Sequence, residues 1–455
     1  MAEIPVNLLA TADVRPAFIK AAIWHGTLDY AEAILAAHPE LAAADIHVGA
    51  ILGDEEAVHK FLSIDAANAT AISEPYGGDA LVYLSLSKYL RLDKSRSESF
   101  LRATKALLDA GANPNTGFWT TGQYKEFETA MYGAAGVTQH AGLTKLLLDY
   151  GADPNDDETP YHSPETYEND TLKVLLESGK LTENSLATML PRKADWHDHD
   201  GIKMLLEHGA DPNKITVWGF TALHQAIRRD NALSNILLML DHGADPAITT
   251  VNQQFYPGQQ GKSAVAIAAR RGRADVLNLF KARGLQIYAG GTDGLIAACA
   301  MNDAAVIESI VSHEPRLVDE IIAEGGTLLA EFAGTGNTGG VRLLLKLGVD
   351  IGALYDGDGY FDIAANSTAL HVAAWKGWHG TVQFLIEQGA QVNVLDGKGR
   401  TPLALAVKAC IDSYWKSRRK PDSVAALLNA GATTQGINWP TGYVEIDELL
   451  KKYFI

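Results

Sequence analysis

Apolar residues along this chain fall in short runs, opened by a threonine or closed by a Leu-Leu pair, with turn residues between them that return in the same order. One phrase closes a run five times: LLDAGANPN ending at Asn115, LLDYGADPN at Asn155, LLEHGADPN at Asn213, LLDHGADPA at Ala247 and LIEQGAQVN at Asn393. A second phrase opens one: TALHQAI from Thr221, TALHVAA from Thr368, TPLALAV from Thr401 and TPYHS from Thr159. The threonine before an apolar run caps a first helix, and Leu-Leu buries a second helix against the next unit. The glycine that follows takes the left-handed conformation that stops a helix, and Asp-Pro or Asn-Pro turns the chain outward into a loop. The pattern therefore predicts stacked helix-turn-helix units.

Together these two phrases resemble the ankyrin-repeat family, and Gly209 and Gly243 stand 34 residues apart, close to the ~33 residues of an ankyrin unit. The resemblance covers nearly the whole chain. Weaker copies run from Ala264, Gly294 and Thr327, and the segments from Ala17 and His47 read as divergent N-terminal units. The fold class it implies is all-α, an ankyrin-repeat solenoid of about 12 stacked units at ~35 to 38 residues each, sealed by an amphipathic helix that starts near Thr441. Residues 1–75 are expected to form the divergent repeats, 76–284 the central repeats with long fingers, and 285–455 the C-terminal repeats and cap, in one continuous solenoid. A bend is expected at Gly284–Thr292, where GLQIYAGGT replaces a regular finger.

Composition narrows the partners. The formal net charge of −17 opposes nucleic-acid binding, which depends on Lys and Arg displacing counterions. No apolar run reaches the ~18 residues that span a bilayer, and the start lacks signal-peptide features, so no membrane contact and a cytoplasmic location are expected. Two cysteines, Cys299 and Cys410, make no disulfide or zinc pattern. No cofactor is expected: P-loop, dinucleotide-binding, GxSxG and HExxH patterns are absent, and GTGNTGG at Gly334–Gly340 sits at an elbow between helices rather than after a strand.

The resemblance implies that finger loops and first helices line a concave groove, which in this family usually binds proteins. The fingers carry Trp119, Tyr124 and Phe127, then Trp218 and Phe220, then Phe255 and Tyr256, and later Tyr360. Aromatics repeated on loops read either as a binding platform or as fingers that bury their own rings. The end of the first helix supplies the groove pairs Arg228 and Arg229, Arg270 and Arg271, and Trp375 and Lys376. These suit a carboxylate or phosphate, or else pair with neighbouring Asp and Glu. His162, His224 and His371 stand where the family's histidine joins a structural network with threonine and the next finger.

Outside the repeat phrases, KADWHDHDG gathers Trp196, His197, His199 and Asp200. No ligand spacing marks a metal site there, and a solvated acidic turn competes with any chemical role. Pro164 shortens a helix nearby and opens space around Glu165 and Trp196. The expected function is a binding module for a protein or peptide. The alternative is an enzyme or small-molecule binder whose acid-base groups are His197, His199, Asp200 and Glu165. Oligomeric state is not legible.

Overall fold

The computed structural model describes residues 14–121, 123, 125–251 and 260–454. Twelve helix pairs follow one another among these residues, from Val14–Ala22 with Asp29–Ala37 to Pro402–Asp412 with Asp422–Asn429, and Val444–Phe454 follows as a terminal helix. Two helices interrupt the regular alternation, Lys88–Leu92 and Leu317–Ala323. By packing, the chain forms two compact units. The first is 1–217 with 238–244, and the second is 218–237 with 245–455.

Local chemistry explains why the units repeat. Thr129, Thr182, Ser263 and Thr401 accept a hydrogen bond from the third residue beyond them, capping the first helix of their pairs. Thr221 and Thr368 add a histidine to this cap. His371 Nδ1 lies 2.9 Å from Thr368 Oγ1, while its Nε2 faces the carbonyls of Val394 at 3.0 Å and Arg400 at 3.2 Å in the next finger. His224 repeats the cap on Thr221. Burial lowers its pKa to about 4, with Arg228 adding to the effect, so the ring is neutral.

The asparagine that ends the closing phrase reaches into the following repeat. The Nδ2 groups of Asn155, Asn213 and Asn393 donate to the carbonyls of Lys180 at 2.9 Å, Gly243 at 2.8 Å and Gly431 at 3.1 Å. Each therefore ties one turn to the next helix end, where carbonyls would otherwise lack partners. The terminal helix buries Ile446 and Leu450, and Trp439 stacks on Phe454 with centroids 5.8 Å apart.

One expected role is corrected by the structure. His162 does not join a cap with Thr159. Thr159 hydrogen-bonds Asp156 instead, and the helix Glu158–His162 is a short turn that stops before Pro164, leaving His162 at its end. Proline and the acidic start shift the whole turn relative to the TALH units.

Candidate functional site

In the first unit, the longest finger is an antiparallel hairpin in which Gly117–Trp119 pairs with Phe127–Thr129. Side chains alternate across such a ribbon, so the cross-strand pair Phe118 and Glu128 faces one way and Trp119 and Phe127 the other. Phe118 is buried against Tyr76 (centroids 5.1 Å), Trp24 (5.4 Å) and Tyr83 (6.0 Å). Trp119 is 60% exposed, Phe127 is 37% exposed, and their rings lie 5.1 Å apart. One face of the finger thus folds into the protein while the other offers a bare aromatic pair.

Beside this finger is a cluster of charged side chains. His162 lies 3.1 Å from Glu158 and 2.8 Å from Glu165, and Arg192 bonds Glu165 and, at 2.6 Å, Asp195. The Arg192 guanidinium sits 4.2 Å from the Tyr161 ring centre. Burial works against a charged His162, but its hydrogen bonds to Glu158 and Glu165 outweigh that and hold its pKa at about 9. Glu165 is held low: burial opposes its charge, and His162 and Arg192 win.

Glu128 is the exception. It is buried, its Oε2 has no hydrogen-bond partner, and burial followed by repulsion from Glu158 and Glu126 pushes its pKa up to about 7. Nothing in the sequence marked it, because a glutamate on a finger reads as solvated.

The acid-base residues expected from KADWHDHDG do not form one constellation with Glu165. Glu165 belongs to the His162 cluster, whereas His199 and Asp200 are exposed in the first turn of the helix His199–Glu207. His197 occupies the left-handed turn just before it, at φ 54°. Asp198 caps that helix and pairs with the fully buried Lys193 at 2.8 Å. Trp196 packs edge-on against Tyr167, with centroids 5.2 Å apart.

The second unit treats its expected groove residues differently. Arg271 pairs with Asp230 at 2.8 Å and Glu331 at 3.0 Å, and Lys376 reaches the same Asp230 at 2.6 Å from 146 residues away. Arg270 bonds Asp293 at 2.8 Å and also Glu324. Arg228 lies 5.1 Å over Phe220, which stacks with Trp218, and Arg229 lies 3.6 Å over Tyr360. Trp375 donates its indole N–H to the Phe361 carbonyl at 2.6 Å. These cations are engaged within the chain. Tyr124, Phe255 and Tyr256 lie outside the described residues.

Comparison with known families agrees with this geometry. A family model described as ankyrin repeats (3 copies) matches residues 192–290 and 360–435. The chain contains ankyrin repeats. Ankyrin repeats are a general module of protein–protein interaction. The chain is 34% identical over 99 residues to serine/threonine-protein kinase 12 of Arabidopsis thaliana, covering 22% of this chain and 20% of that protein. It is 35% identical over 85 residues to Rabankyrin-5 of Mus musculus and 34% over 87 residues to Rabankyrin-5 of Homo sapiens, in each case 18% of this chain and 7% of the relative. The chain thus spans a fifth or less of the length of these curated relatives. Among solved structures, the human ASB11 ankyrin repeat domain aligns at 20% identity and a TM-score of 0.25, over 54% of this chain and 98% of that one. Among the described residues, no helix is long and apolar enough to cross a membrane.

Proposed function

We propose that this ankyrin-repeat chain recognises a protein partner through the groove of its first unit, where the finger hairpin Gly117–Thr129 receives a peptide segment carrying a Lys or Arg. The observation that carries the reading is the exposed Trp119–Phe127 pair on a finger whose other face holds the unpartnered Glu128 carboxylate. Exposed aromatics anchored on a rigid scaffold are frequent hot spots, and a basic side chain would supply the charge and hydrogen bond that Glu128 lacks. The acidic balance of the chain favours encounter with a cationic partner.

Peptide display on the purified chain tests this. Selection is expected to enrich sequences with a Lys or Arg beside an apolar residue, and those peptides are expected to lose affinity for the Trp119→Ala and Phe127→Ala variants by ~1 to 4 kcal/mol. Peptides that bind both variants as tightly as the native chain would rule out this surface.

A second reading rests on the buried Glu128 with its unbonded Oε2, whose pKa burial pushes up to about 7. A carboxyl group poised at neutral pH beside a charged His162 has the character of a general acid or base. An enzyme built on this groove would use Glu128 and His162 rather than His197 and His199. Turnover of any substrate that disappears in Glu128→Gln but survives the His197→Ala, His199→Ala double variant would favour it.

A further inference from the structure

The second unit contains a cavity of about 610 Å³ walled by elbow turns at Asp230–Leu233, Gly272–Asp275 and Gly334–Gly339, together with Trp378 and Arg418. Its volume is that of a small-molecule pocket. The glycine-rich elbow that resembles a phosphate cradle in composition forms one wall. Packing already explains part of that composition: a side chain at Gly336, φ 75°, would meet the Trp378 ring at 2.4 Å. The glycines alone therefore argue for no ligand. The charges around the cavity do.

Arg273 is 7% exposed and directs its Nε and Nη2 to Asp275 at 2.8 and 2.9 Å and its Nη2 also to the Asn231 carbonyl at 2.9 Å, while Nη1 has no partner. Arg418 stacks 3.7 Å over Trp378 and donates to the Lys376 carbonyl at 3.2 Å, and among the described residues no carboxylate pairs with it. The other carboxylate on the wall, Asp230, is held by Arg271 and Lys376. Burial pushes Arg418 down to about 10; Asp230 opposes that and Arg273 adds to it, so the two guanidinium groups repel each other across the cavity.

Three nine-residue helices, Ala274–Ala282, Thr338–Lys346 and His379–Glu387, also begin at this wall, and the first and third lack a side-chain cap. Their first-turn N–H groups and dipoles add positive potential to that of the arginines.

We propose that this cavity binds a compact anionic group, phosphoryl or carboxyl, of a small molecule, with Arg418 as the principal cation and Arg273 behind it. A planar guanidinium braced on an indole is preorganised for a two-pronged contact with such an oxyanion. The proposal does not depend on the protein-partner reading, which concerns the first unit.

Titration calorimetry of the full chain with inorganic phosphate, pyrophosphate and succinate, at one ionic strength set with sodium chloride, tests it. At least one probe is expected to bind. Arg418→Gln is expected to weaken it about tenfold or more, with the far-ultraviolet circular dichroism unchanged. Asp275→Asn removes the carboxylate that occupies Arg273 and is expected to tighten binding about threefold, a gain that misfolding cannot mimic. Binding of the phosphates without succinate identifies a phosphoryl ligand, and the reverse a carboxylate. No heat beyond the chloride control for any probe, or one affinity shared by the native chain and both variants, would overturn the proposal.

Discussion

The two units are left with unpaired buried charge of opposite sign. In the second, Asp230 and Glu331 pair with Arg271 and Lys376, and the cations left over gather around a cavity. In the first, carboxylates gather beside the finger, and Glu128 stays buried with its Oε2 unbonded. A buried charge that is paired contributes to the fold, whereas one left unpaired costs stability and marks a place where an external group would be rewarded. The comparison assigns structure to the paired networks and recognition to the groups left over in each unit, although both are made of residues that face elbows and fingers.

The largest effect is expected from breaking the paired network. Asp230 has φ 55°, which asparagine also tolerates, so Asp230→Asn removes charge without new backbone strain. It leaves the buried Lys376 without its carboxylate and Arg271 with Glu331 alone, and is expected to cost about 3 to 5 kcal/mol. Hydrogen exchange would show the loss of protection in the second unit with the first unchanged. Burial opposes ionisation of Asp230, but Arg271 and Lys376 hold its carboxyl far below the usual range. This stabilisation is therefore complete above the ordinary carboxylate pKa of about 4 and disappears as pH falls below it.

Next in size is His371→Ala. The ring is fully buried and bridges Thr368 to the carbonyls of Val394 and Arg400, so its loss is expected to cost about 2 kcal/mol in urea unfolding. Lost binding at native stability would contradict the structural role.

A smaller effect of opposite sign is expected in the first unit. The folded-state pKa of Glu128 is raised from 4.5 to about 7 and that of His162 from 6.5 to about 9. Both groups then favour the folded chain most below their unfolded values, and this contribution is lost as pH rises, for Glu128 from 4.5 to 7 and for His162 from 6.5 to 9. Glu128→Gln is expected to stabilise the first unit by about 1 kcal/mol at pH 8 and to have little effect at pH 4. Thermal melts at the two pH values would check this, and a destabilised variant at pH 8 would mean that Glu128 has a partner.

Most of the fold was legible because it is written in short-range code. Thr221, Thr368 and Thr401 cap the helices they precede, and the closing asparagines act on the adjacent repeat, so a phrase of nine residues carries both helix end and neighbour contact. The site was only partly legible. Trp119 and Phe127 stood out as finger aromatics, but Phe118 beside them is buried, and only the strand register separates the two fates. The partners of Arg271 and Lys376 were hidden for another reason: Asp230 lies in a different repeat from either, and no local pattern records contacts across several repeats. His162 misled because it carries the right residue at the right spacing on a turn that Pro164 cuts short.

The central claim is that the finger Gly117–Thr129 of the first unit is a recognition element, with the bare aromatic pair on one face and the Glu128 carboxylate on the other. The most direct measurement is the affinity of a display-selected basic peptide for the native chain, Trp119→Ala and Glu128→Gln, with melting temperature recorded for each. The account predicts that both variants lose about tenfold or more in affinity, that Trp119→Ala melts with the native chain because its side chain is mostly exposed, and that Glu128→Gln melts no lower. Equal affinity across all three proteins, or weakening that follows only a fall in melting temperature, would contradict it.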